Sequence, residues 1–201
     1  MMVSICSREA EASRSERFLG KGELAVMKMG TGCKISPKAS IYNQENLTIG
    51  DNVRIDDFCV LSCGSGLKIG SHVHIACYSI FYAGAGIVLE DFSEFATRTT
   101  ILSATDDFSG ESLVGPCIPD KYKPGLKCAP VRVGRHALLG VGCVVMPGVT
   151  IGDGVSVGAL SLVKGDCVPW HIYAGVPAKM IRTRSKDMLE LEKQFLGGWR
   201  G

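Results

Sequence analysis

Asp106 and Asp107 stand side by side in ILSATDDFSG, residues 101–110, the first place in this chain where chemistry could be sited. A carboxylate can orient a nucleophile or accept its proton, provided it lies within hydrogen-bond reach. Adjacent aspartates have a second use, an Asx-type turn opening a loop, with Ser109 and Gly110 completing the bend. The two uses are compatible, one for each carboxylate. His72 and His74, in IGSHVHIA, come next, because imidazole titrates near neutral pH. His74 is the candidate base or polar substrate contact and His72 a candidate substrate contact; the plain alternative for both is a solvated or interface histidine. Nine cysteines make an odd set without a CxxC pair, and Cys59…Cys63 lacks the second half of a zinc site.

What must position these groups is a repeat. Ile49, Ile55, Leu61 and Leu67 are six apart, as are Ile69, Ile75, Phe81 and Ile87, then Leu89, Phe95 and Ile101. After a gap the series resumes with Val133, Leu139, Val145, Ile151, Val157 and Val163. A helical period drifts out of step with six within two units, so the pattern predicts short strands, three per triangular coil. The aliphatic residue points inward and a small residue four places on fits a corner, which is where Cys59, Cys143 and Cys167 fall. They read as core fillers rather than redox groups. Gly50, Gly70, Gly134 and Gly152 follow the beat and are expected to take unusual backbone angles. Stacked coils bury one continuous aliphatic column.

The beat stops at Ala104 and returns near Val131. A segment of about 27 residues, 104–130, exceeds the usual connection length and marks a functional or disordered loop. Its four prolines alternate with Phe108, Leu113, Ile118 and Tyr122, which suits an ordered arm laid against a partner surface. Residues 1–30 read as a polar arm, partly helical or disordered, 31–182 as the coil domain, and 183–201 as a helix and tail. Within the last, 185–196 put Met188, Leu191 and Phe195 on one helical face.

A formal net charge of +2 argues against nucleic acid or a membrane surface as partner. The N-terminus has no apolar core of a secretory signal, and the least polar run, 137–151, is too short and too broken to span a bilayer. A reducing, cytoplasmic setting follows.

The repeat resembles that of the hexapeptide-repeat acyltransferases, whose unit is an aliphatic residue, Gly or an acidic residue, two variable positions, a small residue and one more. The likeness covers 31–182 and implies an all-β fold, a left-handed parallel β-helix of hexapeptide repeats carrying a long inserted loop and a short C-terminal helix. It also implies a homotrimer with active sites between neighbouring prisms. VGALSLVKGDCVPWHIYAGVPAKMIR, residues 157–182, looks like the closing coil of the branch that uses acetyl-CoA as co-substrate. By that likeness Gly158 and Ala159, with Gly140 and Gly142 one coil earlier, form a small-residue wall for pantetheine and polarise the thioester. Lys164, Lys179 and Arg182 join them as coenzyme contacts, the last two at its phosphates. The alternative is that Gly175, Pro177 and Ala178 merely end the coil.

In sugar acetyltransferases of this family a loop at the position of 104–130 carries the catalytic histidine. Here the place reads Ala104-Thr105-Asp106-Asp107, and the loop contains no histidine. An alcohol needs a positioned base, whereas a sugar amine needs only to be neutral when it attacks. The departure therefore favours N-acetylation, with Asp106 catalytic, His74 assisting, and Asp107 and His72 contacting substrate. SATDDFSGESLVGPCIPDKY also looks like a subgroup linked to surface polysaccharides, acylating nucleotide-linked 4-amino-4,6-dideoxy sugars such as dTDP-4-amino-4,6-dideoxyglucose. The alternatives are a sugar O-acetyltransferase of surface glycans and a non-catalytic β-helix scaffold. A metal site on His72 and His74 is rejected, since no third histidine completes it. Asp56 and Asp57 are expected at solvent or trimer contacts.

Overall fold

The computed structural model describes residues 27–198, so 1–26 of the expected arm lie outside the described residues. Winding starts at Lys28–Met29, which pairs with Leu47–Ile49. From there the chain visits three parallel sheets in rotation and builds a left-handed β-helix. Face one carries Leu47–Ile49, Leu67–Ile69, Ile87–Leu89, Val131–Val133 and Thr150–Ile151. Face two carries Arg54–Ile55, His74–Ile75, Glu94–Phe95, Leu138–Leu139 and Ser156–Val157, and face three Val60–Ser62, Ile80–Tyr82, Thr100–Leu102, Val144–Val145 and Leu162–Val163.

Register stacks the beat residues into columns. Ile49, Ile69, Leu89, Val133 and Ile151 are successive partners on face one. Leu61, Phe81, Ile101, Val145 and Val163 do the same on face three. All are at most 3% exposed, and each buried side chain of this size is worth roughly 1.5–3 kcal/mol. Cys59, Cys143 and Cys167 are buried among them as expected, and burial pushes their thiols up, Cys167 to about 11.

The corners follow a different rule from the one expected. Gly50, Gly70, Gly134 and Gly152 do not lie in the left-handed region; they are small because the next coil fills the space. A Cβ on Gly134 would stand 2.3 Å from Asp153 Oδ1 and 2.6 Å from Asp153 N. The left-handed residue comes two places later and is usually not glycine: Asn52, His72, Phe92 and His136 have φ between 56° and 59°. That conformation costs roughly 1–2 kcal/mol per residue. Hydrogen bonds to the preceding coil offset it, as from His72 N–H to Asp51 O (2.8 Å) and from Phe92 N–H to Ser71 O (2.9 Å). Ring stacking adds to them, with His72 on Phe92 at 4.7 Å and Phe92 on His136 at 5.1 Å.

The C-terminal end adds a hairpin to face two, His171–Gly175 against Ala178–Thr183. The helix spans Met188–Gly198 and docks on the aromatic corner. Glu192 meets Arg135 and, at 2.8 Å, His136, while Phe195 stands edge-on to His72 and Phe92. Leu191, expected on the buried face, is 64% exposed, because Glu192 takes the central contact instead.

Candidate active site

The inserted segment leaves the prism at the corner between faces three and one. Its neck is an antiparallel pair, Ala104–Thr105 with Lys127–Cys128, and Asp106 is the first residue beyond it. Asp106 Oδ2 accepts the Gly115 N–H at 3.1 Å, and among the described residues its other oxygen has no partner. Asp107 does the work of the turn. It accepts from Ser109 N–H (3.0 Å), Ser109 Oγ–H (2.8 Å) and Glu111 N–H (3.1 Å), and the Ser109 amide foremost holds its carboxyl below the usual range. Of the two uses, the turn thus falls to Asp107.

His74 lies on face two, across the prism from this corner. Its Nδ1 is 2.7 Å from Glu94 Oε1 and its Nε2 2.9 Å from Asp56 Oδ2, with Arg54 on the other oxygen of Asp56 at 2.7 Å. Partial burial works to lower its pKa, but hydrogen bonds and charge from Asp56 and Glu94 outweigh that and raise it. An imidazolium with both nitrogens committed to carboxylates offers no lone pair, so this geometry does not fit His74 as a base. His72 is a stacking rung of the aromatic corner under Phe195 and stands away from the loop of its own chain. The His74 clamp was readable in principle: Arg54, His74 and Glu94 recur every 20 residues and so share one column.

The expected coenzyme residues divide as well. The antiparallel register sets Lys179 opposite Ala174 and Arg182 opposite Ile172, with an irregularity between. Three residues apart, the two cations would face opposite ways on a regular strand; the bulge at Ile181 returns Arg182 to the side of Lys179. Gly158 joins this surface, where a Cβ would meet Ala174 Cβ at 2.9 Å. Lys164 does not, since it lies at the corner between faces three and one. The glycines have structural reasons of their own, and their N–H groups are spent between coils. Gly140 donates to Val157 O (2.9 Å), Gly142 to Thr97 O (3.0 Å) and Gly158 to Tyr173 O (2.8 Å). A wall of free amide donors at these three is therefore absent; Ala159, exposed at the next turn, has no acceptor among the described residues.

The molecule is thus a left-handed β-helix prism with a carboxylate-bearing arm at one edge and two cations, Lys179 and Arg182, on the opposite face. Residues 130–165 match the family described as bacterial transferase hexapeptide (six repeats). The chain is 40% identical over 174 residues to dTDP-4-amino-4,6-dideoxy-D-glucose acyltransferase of Escherichia coli, covering 86% of this chain and 90% of that protein. A variant of AntD, an N-acyltransferase from Bacillus cereus, solved with dTDP-4-amino-4,6-dideoxyglucose and coenzyme A, superposes with a TM-score of 0.84 at 44% identity, covering 88% of this chain and 93% of that one. AntD with dTDP and 3-hydroxybutyryl-CoA gives 0.83 at 45%, covering 86% and 91%. The chain belongs to the hexapeptide-repeat acyltransferases.

Proposed function

We propose that this protein transfers the acetyl group of acetyl-CoA to the sugar amine of dTDP-4-amino-4,6-dideoxyglucose, for surface-glycan synthesis in the cytoplasm. The observation that carries the reading is Asp106: a carboxylate, not a histidine, stands at the loop mouth with one oxygen held and one open. It suits a neutral amine, which it orients through an N–H···O bond, better than an alcohol, which needs its proton removed. The amine attacks the thioester carbonyl, the C–N bond forms as the C–S bond breaks, and the surplus amine proton passes to Asp106 or to the departing thiolate. Lys179 and Arg182 meet the coenzyme phosphates, and the Ala159 N–H serves its amide or thioester oxygen. The two relatives named above, which act on or hold this amino-sugar nucleotide, support the acceptor.

The working form is a homotrimer. Outward residues of face three, Val60, Ile80, Thr100, Val144 and Leu162, align in one half-buried, largely aliphatic column. The equivalent columns carry Lys68 and Arg132 on face one, and Arg54, His74 and Glu94 on face two. Asp106 and the Lys179 surface occupy different edges of one prism, so neighbouring chains supply the two halves of a site. A thiol-release assay with acetyl-CoA and 3-hydroxybutyryl-CoA, against the amino-sugar nucleotide and its 4-hydroxyl counterpart, tests the reading. Turnover with the amine is expected; turnover with the hydroxyl compound alone would make it an O-acyltransferase.

A further inference from the structure

Of all residues from 104 to 130, Lys123 alone is buried, its side chain 4% exposed. The apolar residues of the segment point outward instead: Phe108 is 90% exposed, Leu113 56%, Val114 54% and Tyr122 51%. The arm is thus folded around an ammonium group, and an ammonium taken out of water is costly unless it is paired and hydrogen-bonded. Lys123 Nζ is 2.9 Å from Asp120 Oδ1 and donates to Gly115 O at 3.3 Å. Gly115 is the same residue whose N–H holds Asp106 Oδ2. It is therefore gripped at both ends, by the lysine at its carbonyl and by the aspartate at its amide, and its φ of 96° is one that glycine adopts readily.

We propose that Lys123 is a positioning residue for the acyl transfer: through Gly115 it fixes which oxygen of Asp106 is occupied and which faces the acceptor amine. The proposal rests on the reading of Asp106 as the acceptor-side carboxylate. Asp120 anchors the ammonium and neutralises it, so the lysine orients Asp106 without presenting a free cation to the substrate.

The test is a cycle of variants on the intact enzyme: Lys123→Met, Lys123→Arg, Asp106→Asn and the Lys123→Met/Asp106→Asn double, each assayed for kcat and for both KM values. Misplacement of Asp106 is expected to lower kcat/KM for the amino-sugar nucleotide about 10- to 100-fold in Lys123→Met. Lys123→Arg, which keeps a donor, restores most of it, and KM for acyl-CoA stays within about twofold of wild type because the coenzyme surface is elsewhere. In the Asp106→Asn background Lys123→Met costs less than about twofold more, since both changes remove one function. Equal losses in both backgrounds overturn the role of Lys123, as does a Lys123→Met enzyme matching wild type while Asp106→Asn is impaired; both leave the Asp106 reading standing. An Asp106→Asn enzyme equal to wild type removes the two together. Asp120→Asn loosens the same anchor with the lysine in place, and no loss of acceptor kcat/KM in that variant also counts against the proposal.

Discussion

Replacing His74 by Gln separates a catalytic imidazole from a structural one. The side chain is 33% exposed and makes two ion-paired hydrogen bonds, to Glu94 and Asp56. Exposed pairs of this kind contribute roughly 0.2–1 kcal/mol each, so losing both costs about 0.5–2 kcal/mol. For a chain of this size that lowers Tm by about 1–8 °C. Sign follows from the raised pKa of the folded-state imidazole. Its contribution is complete below the ordinary value of about 6.5 and is lost as pH rises through the folded-state value. Melting curves of wild type and His74→Gln should therefore differ most in mildly acidic buffer and converge on the alkaline side. The same variant should keep kcat within about threefold, whereas removing a general base costs about 10²–10⁴. A loss of that size with an unchanged Tm would refute the clamp and restore His74 as a base.

Three further outcomes can be checked directly. Asp106→Asn should cut kcat/KM for the amino-sugar nucleotide about 10- to 100-fold in the thiol-release assay, with KM for acyl-CoA little changed. Ile80→Lys, a charge set in the aliphatic outer column of face three, should convert the proposed trimer to monomers in light scattering, while the far-ultraviolet spectrum stays that of a β-helix. Arg182→Ala should raise KM for acyl-CoA several-fold, whereas deleting Ile181, which removes the bulge but leaves Arg182 two residues from Lys179 and on its side of the strand, should leave that KM near the wild-type value.

Much of this molecule is legible in its sequence because a β-helix is quasi-one-dimensional. Each coil packs only on its neighbours, so a period of six names the inward residue and a period of 20 names the column above it. Ile69 over Ile49 and His74 over Arg54 are both arithmetic of this sort. The interruption at Ala104, the absence of histidine from the loop and the C-terminal run to Arg182 were equally plain. So were the buried cysteines, whose four-place offset from the beat is a packing rule.

Tertiary structure decided what has no period. Whether Gly134 is glycine for its backbone angle or for want of space depends on Asp153, a coil away, and the answer is space. Asp106 and Asp107 look alike along the chain, yet one caps a local turn and the other reaches nine residues to Gly115, a closure only the folded arm creates. His74 is a plausible base until two carboxylates from adjacent coils take both nitrogens. Sequence determined the prism, because local repetition sets local packing; the roles of Asp106 and His74 came from partners the fold brings to them, nine residues away for the one and 18 and 20 for the other, where distance in space rather than spacing along the chain sets the chemistry.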